Sequence, residues 1–263
     1  MSMNNVLSDN LKVQVVSETP SAGVFDIEGL YRGYGLTLGN ALRRVLLSSL
    51  PGVAITSVKI KGVGHEFSTI PGIIEDVVEI MLNLKKVRLA LDGDFDSMNE
   101  PAILTLSAKG EGAVTAAAIE EGSRITVMNP ETHIATISQK GTELEIELTV
   151  EKGLGYVPVE SFKAGTLPIG VVKLDALFSP VIKVNFSVEN MRVGEFTDFN
   201  RLRLDIETTG SITPSSALKE SLLILQTHFA KAADQIVVAK PEASEEKPKA
   251  KAKKVAKKKS AKE

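Results

Sequence analysis

The sequence predicts an α+β fold of antiparallel strands and a few helices, and three observations carry that prediction. Segments that alternate apolar and polar residues recur along the chain, punctuated by glycine and proline turns. Two segments, 40–50 and 214–237, instead place apolar residues at helical spacing, on more sides than one core needs. At 263 residues the chain is long enough for one large domain or two ordinary ones.

Residues 11–18 and 22–30 alternate and read as two strands around the turn Thr19-Pro20-Ser21-Ala22-Gly23. Asn40 is a favoured N-cap, and the helix it predicts runs from Ala41 to the stop at Pro51-Gly52. Ala41, Val45 and Ser49 form one row, Leu42, Leu46 and Leu50 a second, Arg43 and Leu47 a third. Only Arg44 and Ser48 make a clearly polar row. Two mid-helix arginines argue against complete burial, because an unpaired buried charge is expensive. The helix is therefore expected to pack on its own domain on one side and on a partner on another.

Residues 53–63 read as a strand. Pro71-Gly72 opens a predicted second helix, 73–84, with Ile73, Val77, Ile80, Met81 and Leu84 on one face. Its early acids Glu75, Asp76 and Glu79 and the following Lys85-Lys86 suit the helix macrodipole. From 86 to 152 come short β segments with glycine turns, then a glycine- and proline-punctuated loop over 153–168. Residues 181–193 and 201–210 read as further strands. The chain thus reads as leaving a first unit near 51 and returning near 175. Thr213 and Pro214 suit the start of a last helix, in which Leu218, Leu222, Leu225, Phe229, Ala232 and Ile236 recur at spacings of four and three. That seam fits a helix lying along its own sheet as well as one lying along a second copy. Two helices with surplus apolar faces in one chain favour a homodimer.

No catalytic constellation emerges. Gly33, Gly35 and Gly39 fail the dinucleotide fingerprint, which wants glycine where Leu38 stands, and the P-loop, which wants Lys-Ser/Thr where Asn40-Ala41 stand. A tight strand-to-helix turn explains them instead. His65, His133 and His228 show no metal-ligand spacing, and the chain has neither a cysteine nor a GxSxG elbow. Neither a cofactor nor a metal is expected. The first residues, MSMNNVLSDN, do not read as a signal peptide, and no run is apolar enough for a membrane span, so a cytoplasmic location is expected. The formal net charge of −2 hides an asymmetry, because residues 247–263 hold nine lysines and one glutamate. That basic segment, within a predicted disordered tail at 239–263, has almost no apolar side chains with which to form a core.

Several long blocks resemble the amino-terminal assembly domain of bacterial RNA polymerase alpha subunits. They are RGYG-LTLGNALRRVLLSSLPG, GVGHEFSTIPGIIEDVVEIMLNLK, GYVPVE at 155–160, PIG at 168–170, DALFSPV at 175–181 and TDFNRLRLDIETTGSITPSSAL at 197–218, in the family's order. The resemblance implies a dimerisation subdomain (1–50 plus 175–238), an antiparallel sheet with two long helices, interrupted by an inserted mostly-β assembly subdomain (51–174). It implies a non-catalytic scaffold that homodimerises and recruits the beta and beta-prime subunits of a nucleotidyltransferase. Arg44 and Leu47 match positions that bind beta; Lys85 and Leu174 match positions linked to beta-prime, with leucine where many members have valine. Leu42, Leu46, Leu218, Leu222, Leu225 and Phe229 are the expected dimer contacts. Most members continue into a second small DNA-binding domain, and here only the lysine-rich tail follows. Lys253, Lys254, Lys257, Lys258 and Lys259 are candidates for sequence-blind contact with DNA phosphates, and a merely solubilising tail is the competing reading. The alternative for the whole chain is a free-standing dimeric nucleic-acid-binding protein acting through that tail.

Overall fold

The computed structural model describes residues 11–93, 98, 100–120, 122, 124–161, 168, 170–193 and 196–236. The predicted tail and its lysines, Lys253 to Lys259, lie outside the described residues. The fold is α+β, with antiparallel sheets and few helices.

One sheet has the order β1-β2-β14-β13, from Lys12–Glu18, Ala22–Leu30, Phe196–Thr208 and Val181–Val193. The first two strands and the last two are hairpin neighbours, and β14 pairs with β2 although the whole second unit lies between them in sequence, as in Leu204↔Phe25. Helices α1 (Tyr34–Ser48) and α3 (Pro214–Gln235) pack with this sheet. Their shared core holds Phe25, Ile27, Leu42, Leu46, Leu50, Leu202, Leu204, Ile206 and Leu218.

A second sheet has the order β11-β3-β9-β5, from Val171–Lys173, Pro51–Ile60, Glu143–Leu154 and Ala102–Lys109. Three short ribbons accompany it: β4 (Leu89–Leu91) with β7 (Ile125–Val127), β6 (Gly112–Thr115) with β8 (His133–Ile137), and β10 (Tyr156–Val157) with β12 (Ala176–Leu177). Helix α2 (Val77–Leu84) seals a core that includes Val58, Ile80, Leu84, Leu106, Ile146 and Leu148. Buried apolar side chains therefore gather in two clusters, one drawn from 25–50 and 181–218, the other from 53–174.

Helix boundaries depart from the sequence reading at two starts. Helix α1 begins six residues before Asn40, which is an exposed interior residue, and Gly33 is its N-cap with φ 85°. Helix α2 begins at Val77 rather than Ile73, because the Asp76 carboxylate accepts a 2.7 Å bond from the Glu79 N–H and caps the first turn. Helix α3 starts as predicted, with the Thr213 hydroxyl accepting from the Ser216 N–H.

Candidate assembly interfaces

Helix α1 is held against its sheet from two directions. At its start the Asn200 side chain of β14 accepts a 2.8 Å bond from the Gly33 N–H and donates to Asn190 of β13. Along its length, Gly35 and Gly39 let the helix backbone lie close on that sheet. A Cβ at Gly35 would stand 2.7 Å from Val188, and one at Gly39 2.7 Å from the Phe186 ring. Only Gly33 of the three serves the turn; the other two serve helix–sheet approach. Leu42 and Leu46 continue the same stripe and are fully buried. The outer face presents Tyr34, Leu36, Asn40, Arg43, Arg44 and Leu47 to solvent. Among the described residues the Arg44 guanidinium has no ion-pair partner.

This corrects part of the expected dimer surface. Leu42, Leu46 and Leu218 are spent on the chain's own core and have no surface left for a second copy. Leu225 is half-buried against that core. Along α3, exposure changes abruptly. Ala217, Leu218 and Ser221 are buried, whereas every residue from Gln226 to Ile236 is exposed. Phe229 is 66% exposed and Ile236 69%. Together with exposed Leu222 and Leu223 they give the end of α3 apolar side chains that no other described residue covers.

A third constellation surrounds Lys85, the C-cap of α2. Its Nζ lies 2.8 Å from Asp175 Oδ2 and 5.7 Å from the centroid of the Tyr156 ring. Asp175 Oδ1 accepts a 3.0 Å bond from the Val159 N–H, so one carboxylate ties α2 to the segment after β10. The hydrogen bond from Lys85 foremost, with that from Val159, holds the Asp175 carboxyl below the usual range. Tyr156 is pushed the other way, by its partial burial first and by the hydrogen bond with Asp175. Exposed Leu154, Tyr156, Val159 and Leu177 surround this pair. Leu174 is different. It is buried in the second core with its N–H bonded to the Thr56 carbonyl, so it supports this region from beneath rather than offering a contact surface.

Glu75 also changes role. It lies before α2 rather than in its first turn and reaches across to β8. It accepts bonds from the Thr136 N–H (2.6 Å) and hydroxyl (2.9 Å), with His133 Nε2 2.8 Å away. Burial pushes its carboxyl up, but these bonds outweigh that and leave it lowered. Among the described residues no group of three or more His, Cys, Asp or Glu is placed to hold a metal, and no helix is long and apolar enough to cross a membrane.

Asp175, Tyr156 and Asn200 were not legible as site residues, because each acts through a partner distant in sequence. Residues 58–179 match the family model described as the RNA polymerase Rpb3/RpoA insert domain. The DNA-directed RNA polymerase subunit alpha of Symbiobacterium thermophilum is 48% identical over 219 residues, spanning 83% of this chain and 68% of that protein. The chain belongs to the RNA polymerase alpha subunit family. The alpha subunit of Moorella thermoacetica is 51% identical over 207 residues, covering 79% of this chain and 64% of its own length. That of Alkaliphilus oremlandii is 48% identical over 220 residues, covering 83% and 68%. The matched region thus spans about two thirds of each of these alpha subunits.

Proposed function

We propose that this alpha-family chain is the assembly scaffold of a cytoplasmic DNA-directed RNA polymerase, dimerising and then recruiting beta and beta-prime. The observation that carries the reading is the end of α3, exposed on every residue from Gln226 onward while bearing Phe229 and followed by exposed Ile236. An isolated helical segment of that length is marginal in water. Packing against a second copy would give it a partner, with Leu222, Leu223 and Phe229 at the seam. In this reading 1–50 plus 175–238 form the dimerisation subdomain and 51–174 the insert. The outer face of α1 meets beta through Arg44, whose free guanidinium can pair bidentately with a carboxylate, and through Leu47. The ribbon around Lys85, Asp175 and Tyr156 meets beta-prime. The nucleotidyl-transfer chemistry belongs to the large subunits, and this chain contributes no catalytic residue. The lysine tail, Lys253 to Lys259 included, adds non-specific attraction to DNA phosphates.

Affinity purification of a tagged chain from its own cells tests the assembly role. An untagged copy, beta and beta-prime are expected in the eluate. Arg44→Ala should keep the untagged copy and reduce beta about tenfold, the loss of one charge-assisted pair. Recovery of no large polymerase subunit would overturn the proposal, and loss of the untagged copy in Arg44→Ala would overturn the role of that residue.

A further inference from the structure

A cleft of about 150 Å³ lies where the two cores meet. One wall is the β4 segment with Arg88; the other comes from Leu177, Phe178, Thr209, Ser211, Ile212 and, on α3, Glu220. The Arg88 backbone is fixed on both sides, its N–H donating to the Asn129 side chain at 2.7 Å and its carbonyl accepting from Met128 at 2.9 Å. Its guanidinium is half-buried and has no acidic partner among the described residues. The contrast with the sheet is informative, since Arg201 lies 3.0 Å from Glu28 and Arg203 2.8 Å from Asp26. Burial alone acts on Arg88, lowering its proton affinity, but an arginine does not shed its charge in a protein. A partly desolvated guanidinium fork without a counter-charge is a receptor for a planar oxyanion.

We propose that this cleft binds a small free monocarboxylate with an apolar body. The carboxylate sits on the Arg88 fork. The apolar body lies against Phe178, Leu177 and Ile212, the mixture of apolar walls and one orienting charge that marks small-molecule sites. Thr209 and Ser211, both lining the cleft, share one hydrogen bond at 2.8 Å, which occupies only one of their two hydroxyl protons. Glu220 on the same wall disfavours multiply charged anions such as phosphate dianion. The anion-binding wall at Arg88 lies apart from the proposed seam at Phe229 and from Arg44, whereas Leu177 belongs also to the ribbon proposed to meet beta-prime.

Selective ¹⁵N-arginine labelling of the full chain tests this, by titration with benzoate, acetate and inorganic phosphate. Benzoate is expected to shift the Arg88 Nε–H resonance saturably, acetate more weakly, and phosphate least. Arg88→Lys keeps the charge but loses the fork, and should bind benzoate about tenfold more weakly. Arg88→Gln should not bind at all, its fold checked by circular dichroism. No saturable shift with benzoate, an undiminished affinity in Arg88→Lys, or phosphate binding more tightly than benzoate would each overturn the proposal. So would loss of the benzoate signal on assembly with the large subunits, which would assign the site to a partner's carboxylate.

Discussion

Asp26 and Arg203 face each other across β2 and β14 and form a two-point pair, both N···O distances 2.8 Å. The hydrogen bond from Arg203, aided by the charges of Arg203 and Arg201, holds the Asp26 carboxyl below its ordinary 3.8 despite burial. A carboxyl depressed in the folded state stabilises the fold above its unfolded value. That contribution is lost as pH falls through the folded value. Urea midpoints should therefore decline on acidification below about pH 4. Asp26→Asn should lower the midpoint at neutral pH and flatten that acid limb; an unchanged acid limb would show the pair to be energetically idle. Nothing in the sequence announced this pair, because opposite charges 177 residues apart meet only once the strand register is known. Arg44 and Leu46 show the same limit within one helix. Periodicity revealed too many apolar rows, but the sheet decides which row it covers, and it covers Leu46 while leaving Arg44 outside.

At the scale of elements, the long strands and α3 were readable because their patterns are long and their punctuation is strong. The two-stranded ribbons β10–β12 and β6–β8 were not fully readable, since strands of two to five residues give almost no period to detect. The start of α1 was missed for a specific reason. Glycine is a poor helix former, about 1 kcal/mol worse than alanine, so GYGLTLG reads as loop. The structure offsets that weakness by close contact of Gly35 and Gly39 with Val188 and Phe186. Gly39→Ala should consequently destabilise the chain by about 1–3 kcal/mol, overpacking against Phe186 and Leu202 outweighing the gain in helix propensity. Chemical denaturation measures it directly, and a stabilised variant would refute the packing argument.

Across the whole molecule, two cores meet at a tight junction. A Cβ on Gly52 would collide with the Phe178 carbonyl oxygen, and the Phe178 ring sits 2.6 Å from where a Cβ on Gly153 would stand. The chain enters the second core at β3 and leaves it through this same region, where the Gly155 carbonyl accepts from the Phe178 N–H at 2.8 Å. Such a junction fixes the outer face of α1 relative to the ribbon around Lys85, which the proposed scaffold role requires. Among the described residues the end of α3 is exposed on every residue from Gln226 to Gln235, whereas α1 exposes only its outer face. Sedimentation equilibrium of the purified chain at micromolar concentration, beside Phe229→Glu, therefore tests the central claim most directly. The wild type should sediment as a dimer, and the variant should shift toward monomer by at least about tenfold in dissociation constant, as removal of a buried aromatic anchor does. A wild-type chain that remains a folded monomer under those conditions would contradict the account.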